Sequence, residues 1–181
     1  RPPPRPYVPV GIDLLPGVGV SSGYGGSERR AFALGVIADL YGGLDGYAFG
    51  GFATLGGDVV GVQQSVGLAV AERVRGVQLG VVGVALHLEG AQLGAFNVSG
   101  GGEGAQIGFV NVASVLRGPQ VGILNIGDRA DVGVGIINIY AQGRTQLEVT
   151  GDSGGLLRLA VKHGAGWWHS VYTVASNPFY G

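Results

Sequence analysis

The chain has no cysteine and no methionine among its 181 residues, and charged residues make up only 13% of it. Without cysteine, disulfides, thiolate chemistry and a lipid-bearing N-terminal cysteine are excluded. Charge stands at about half the usual share of roughly 25%. With a net value of −1 and no basic patch or arginine-rich stripe, no nucleic-acid partner is expected. No apolar run approaches the roughly 20 residues a membrane-spanning helix needs, and no segment shows the 3.6-residue period of an amphipathic helix. Methionine is missing even from the first position, where Arg1 opens the segment RPPPRPYVP. That start reads as a mature end left by signal-peptide removal or as a trimmed chain, followed by an extended, polyproline-like tether.

What is present is glycine, 38 residues of it, with many valines and isoleucines, a composition suited to strands and tight corners. These residues form a repeat. GVQLGVVGV, GAQLGAFNV, GAQIGFVNV, GPQVGILNI and DVGVGIINI start at residues 76, 90, 104, 118 and 131. Weaker copies start at Gly61 (GVQQSVGLA), Gly46 (GYAFGGFAT) and Ala31 (AFALGVIAD), so eight units cover residues 31–139. A unit of about fourteen residues cannot bury a core of its own, so each copy must lie against its neighbours and the fold grows along one axis. The chain therefore divides into a proline-rich arm with an N-terminal cap (1–30), a repeat array (31–139) and a C-terminal β cap (140–181).

With the unit's glycine as position one, positions two and four are apolar, as are seven and nine. Gly80, Gly94, Gly108, Gly122 and Gly135 interrupt the alternation at position five. Two short strands joined by a glycine bend would aim both apolar pairs into one interior. Gln78, Gln92, Gln106 and Gln120 recur at position three, and Asn97, Asn111, Asn125 and Asn138 at position eight. In a parallel coil, equivalent amides stack at about 4.8 Å and bond to one another in ladders. The expected fold is an all-β parallel β-solenoid of about 14 residues per coil with atypical caps. The alternative is an antiparallel up-and-down β-barrel, whose natural repeat of two strands would be about twice the observed period. Position six, held by Val81, Ala95, Phe109, Ile123 and Ile136, would turn outward and align into an apolar stripe. Such a stripe is rarely left bare, which makes these five residues the candidate self-association surface.

The runs GLDGYAFGGFATL, GAQIGFVNVA, GPQVGILNIGD and GVGIINIYAQGRTQLEVTGD resemble bacterial surface-repeat proteins rich in GVQ(L/I)GLVNVA-type units. The likeness covers roughly residues 10–175. It implies an exported protein of a Gram-negative envelope: at the cell surface, in the outer membrane or extracellular.

Other features carry less. Gly151–Gly155 spells GDSGG, the nucleophile string of chymotrypsin-like proteases, but the triad also needs a base histidine and an orienting carboxylate. The only upstream histidine is His87, inside a repeat, so a glycine-rich turn between QLEVT and LLRLAV explains the string better. His87, His163 and His169 lack metal-ligand spacing and read as surface residues. Asp39, Asp45 and Asp58 read as turn residues, and Trp167-Trp168 as a lid over the last coil. The expected protein has no enzymatic activity, cofactor or metal. It is a structural or scaffold module forming a homo-oligomer or filament in association with the envelope, with an outer-membrane barrel acting as pore or anchor as the alternative.

Overall fold

A computed structural model, which describes residues 5–20, 22–151, 153–164 and 169–177, shows the repeats wound into a parallel β-solenoid of about six turns. Nine strands form its sheet. β1 (Tyr7–Leu15) and the two-residue β2 (Val18–Gly19) lie at the N-terminal end, followed by β3 (Arg29–Gly35), β4 (Ala38–Gly50), β5 (Ala53–Ser65), β6 (Leu68–Leu79), β7 (Val82–Leu93), β8 (Phe96–Ile107) and β9 (Val110–Tyr140). A second, antiparallel sheet follows, made of β10 (Arg144–Gly151), β11 (Leu157–Gly164) and β12 (His169–Ser176).

Strands β3 to β9 pair in parallel, each with the next coil, which replaces the antiparallel barrel. Gly46 lies beside Gly61, Gly61 beside Gly76, Gly76 beside Gly90 and Gly90 beside Gly104. Coils are therefore 15 residues long at first and 14 later. The outermost sequence units are incomplete as coils, since β3 has only seven residues and the chain leaves the solenoid after Tyr140.

The interior is the reverse of the expected one. Positions three and eight point inward, and Gln63, Gln78, Gln92, Gln106, Gln120, Asn97, Asn111, Asn125 and Asn138 are all buried. Since neighbours along a strand face opposite ways, positions two, four, seven and nine turn outward, and Phe96, Val98, Ile107 and Val121 are exposed. The apolar pattern misleads here because equivalent amides one coil apart satisfy each other, so burying them leaves few unpaired polar atoms.

The apolar half of the core comes from the later part of each coil. One column runs Leu44, Val59, Val74, Leu88, Gly102, Leu116, and another Tyr41, Gly56, Ala71, Ala85, Ser99, Ala113. After Tyr41 the second column holds only small residues. Gly56 lies against the Tyr41 ring, 2.5 Å from where its own Cβ would stand.

Each end carries a segment outside the repeat. The N-terminal segment is no free tether: from Tyr7 onward it is β1, paired in parallel with β3 from Tyr7 beside Arg29 to Asp13 beside Gly35. Antiparallel β2 folds back on it. At the other end, the second sheet is anchored on β9. Asn138 Nδ2 donates to Ser170 Oγ (2.6 Å), the Tyr140 amide donates to His163 Nε2 (3.0 Å), and Tyr172 Oη donates to the Ile136 carbonyl.

Candidate functional site

Two amide ladders run through the interior. In the first, Gln120 Nε2 donates to Gln106 Oε1 (2.7 Å), Gln106 to Gln92 (2.8 Å), Gln92 to Gln78 (2.7 Å) and Gln78 to Gln63 (2.9 Å). In the second, Asn97 Nδ2 donates to Asn111 Oδ1 (2.9 Å), Asn111 to Asn125 (2.8 Å) and Asn125 to Asn138 (2.7 Å). The glutamines donate toward the N-terminal end and the asparagines toward the C-terminal end. The two rows of dipoles therefore oppose each other inside one core. Second protons are used as well: Asn111 Nδ2 reaches Val121 O (2.9 Å), and Gln92 Nε2 reaches Val98 O (3.2 Å). These bonds tie the glutamines to backbone carbonyls of their own coil and the asparagines to those of the next coil.

The ladders stop where the sequence changes. The asparagine column continues toward the N-terminus as Gly83, Ala69, Thr54 and Asp39, and Asn97 Oδ1 is buried without a hydrogen-bond partner among the described residues. The glutamine column continues as Ala48 and Ala33. Under this end lies a buried ionic cluster that turn chemistry at Asp39 did not anticipate. Arg30 is buried among three buried carboxylates. It reaches Asp39 Oδ1 (2.7 Å) and Asp13 Oδ2 (2.8 Å), and its Nε donates to Glu28 Oε1 (2.8 Å). Burial pushes the Asp39 carboxyl up to about 6 against the pull of Arg30, with Asp13 adding to the rise. Asp39 is thus an interior residue of the asparagine column, not a turn residue.

The outer surface is divided lengthwise. At the glycine corner, position six is exposed in Val81, Phe109, Ile123 and Ile136 and half-buried in Ala95, with Phe109 at 63% and Ile136 at 64%. Ile107, Phe109, Val121 and Ile123 line a shallow apolar depression there. The corner on the far side of the coil carries the charges. Arg29 pairs with Asp45 (2.5 Å), Arg73 with Asp58 (2.7 Å), Arg117 with Glu103 (2.8 Å) and His87 with Glu89 (3.3 Å). Their hydrogen bond raises the pKa of Arg29 and lowers that of Asp45. Exposed pairs of this kind contribute about 0–1 kcal/mol each, so this corner is simply the solvated edge.

The remaining sequence candidates are dispersed. Ser153 is exposed in the turn between β10 and β11, while His87 lies on the charged corner in β7. His163 is half-buried and accepts from the Tyr140 amide. The Trp167-Trp168 pair and the side chain of His169 lie outside the described residues. Among the described residues, no group of three or more His, Asp or Glu is placed to hold a metal ion, and no helix is long and apolar enough to cross a membrane.

Sequence reasoning missed Tyr140 and the Arg30 cluster. The only signal for Tyr140 was the glycine, Gly133, that breaks the glutamine column.

No family model, no curated protein and no solved structure matches the chain.

Proposed function

We propose that the protein is a non-enzymatic structural or scaffold module of a bacterial cell surface that associates with copies of itself. The apolar stripe at the glycine corner carries this reading. A solenoid that buries its amides and exposes Val81, Phe109, Ile123 and Ile136 keeps an apolar surface for something outside the fold. Placement on an exported, Gram-negative surface rests on the resemblance to GVQ(L/I)GLVNVA-repeat proteins. In sedimentation without detergent the chain is expected to be oligomeric at micromolar concentration, and Phe109→Lys with Ile123→Lys to release folded monomers. A monomer at high concentration, before any substitution, contradicts the reading.

A further inference from the structure

The second sheet has the form of half a β-sandwich. Partners directly opposite in a ladder share a face. Leu147, Val161 and Tyr172 therefore form one row, and Val149, Leu159 and Val174 the next, with Leu157 beyond them. All seven are exposed, from 37% at Val161 to 71% at Val174. This face meets β9 at one end, through His163, Ser170 and Tyr172; past that end nothing among the described residues covers it. The opposite face carries Glu148 and Lys162, which are ion-paired, and Thr173. A three-stranded sheet is stable when its apolar face packs on another layer, and beyond the end that meets β9 this face has none within the described chain.

We propose that the face pairs with the same face of a second copy about a two-fold axis, closing a six-stranded sandwich. This rests on the self-association reading but centres on the cap, meeting the corner stripe only at its Ile136 end. Two features favour a second copy as the occupant: the lack of charge on the face, and adjoining apolar surface that supplies the area the sheet alone lacks. No charged side chain stands on the face between Gly151 and His163, so two identical faces meet without stranding a charge. Strands of eight residues make a patch of roughly 27 by 14 Å, so a pair buries on the order of 800 Å², short of the roughly 1,200 Å² of a stable interface. The missing area adjoins it: Tyr172 bonds to the Ile136 carbonyl, so the face runs on into the end of the stripe.

Leu159 stands between Val149 and Val174 in the middle of the face. Sedimentation of the full chain without detergent should show dimers or multiples of dimers. Leu159→Lys should weaken the pairing roughly 100-fold or more by burying an unpaired charge, while Thr173→Lys on the back should change it by less than about threefold. Amide protection in β7 to β9 should be unchanged in both variants. Because the chain has no cysteine, Leu159→Cys provides a single attachment point. A short bismaleimide should cross-link it into a homodimer and leave Thr173→Cys uncoupled.

Cross-linking through Thr173→Cys instead, or dimers unaffected by Leu159→Lys, overturns the proposal. If oligomers survive Leu159→Lys but dissociate in the Phe109→Lys, Ile123→Lys variant, the cap pairing fails while lateral association stands. A chain that is monomeric throughout defeats both. If it stays monomeric yet binds phosphatidylglycerol vesicles, and Leu159→Lys abolishes that binding, the face is a lipid surface and the pairing is wrong.

Discussion

Tyr140 Oη donates to Gln120 Oε1 at 2.8 Å and closes the C-terminal end of the glutamine ladder. The next coil has Gly133 where earlier ones have glutamine, and the phenol fills the space left, with Oη 2.3 Å from where a Gly133 Cβ would stand. A residue seven positions further along thus supplies the bond that the missing amide would have made. Burial there pushes the Tyr140 hydroxyl up to about 12.

Tyr140→Phe keeps the ring and removes the donor, leaving the buried Gln120 Oε1 without it. A loss of about 1–3 kcal/mol is expected in urea unfolding, the cost of an unsatisfied buried acceptor. Unchanged stability would mean that the ladder does not need its terminal donor.

The corner glycines are required by closeness of approach, not by a left-handed backbone. Gly108 has no positive φ, yet a Cβ there would stand 2.2 Å from Gly94 O and 2.6 Å from Asn97 Nδ2. Gly90, at a unit start, has φ of +143° and the Gly76 carbonyl oxygen 2.0 Å from its would-be Cβ, so both constraints apply. Gly108→Val should therefore cost at least about 2 kcal/mol through overpacking, against less than about 1 kcal/mol for trimming the outward Val110 to alanine. Thermal unfolding of the two variants gives the order, and a reversed order would place Gly108 away from the coil contact.

Period and direction of the coil were legible because a repeat shorter than any self-sufficient core has to stack, and because aligned Gln and Asn favour parallel register. The inward face was not legible from hydropathy. Val77, Leu79, Val82 and Val84 looked like core, whereas the core on that side is amide, and only the hydrogen bonds between coils make the exchange favourable. Asp39 was misread for a related reason. Its column reaches asparagine only at Asn97, the intervening Thr54, Ala69 and Gly83 hide the alignment, and its partner Arg30 lies in the N-terminal cap, outside the repeat. The three-stranded cap was visible as two flanking strands around GDSGG, yet its bare apolar face appears only once Leu147, Leu159 and Val174 are set in register.

Asn111→Asp tests the asparagine ladder. Asn111 Nδ2 donates to Val121 O and Asn125 Oδ1, so a carboxylate there would set oxygen against two acceptors. About 3 kcal/mol or more should be lost at pH 8. Burial would raise the new carboxyl's pKa in the folded state, so the deficit should shrink at pH 4, where the group is protonated and can donate again. A deficit that is the same at both pH values would show that Asn111's protons are not what the ladder uses.

The Arg30 cluster gives the native protein a pH dependence of its own. Asp39 is pushed up to about 6 in the fold, above the ordinary value near 3.8 that it regains when unfolded. Below pH 3.8 both states hold the proton. Between about 4 and 6 the unfolded chain releases it while the folded one keeps it, so this group's contribution to stability falls as pH rises through that window and is level above it. A shift of this size corresponds to a change on the order of 3 kcal/mol. Asp39→Asn removes the titration and leaves Arg30 with Asp13 and Glu28. Urea unfolding of the two proteins should therefore show the variant gaining on the native chain by about that amount between pH 4 and pH 7. If the difference between the two proteins is instead level from about pH 4 to pH 7, Asp39 is ionised throughout and its pairing with Arg30 outweighs burial.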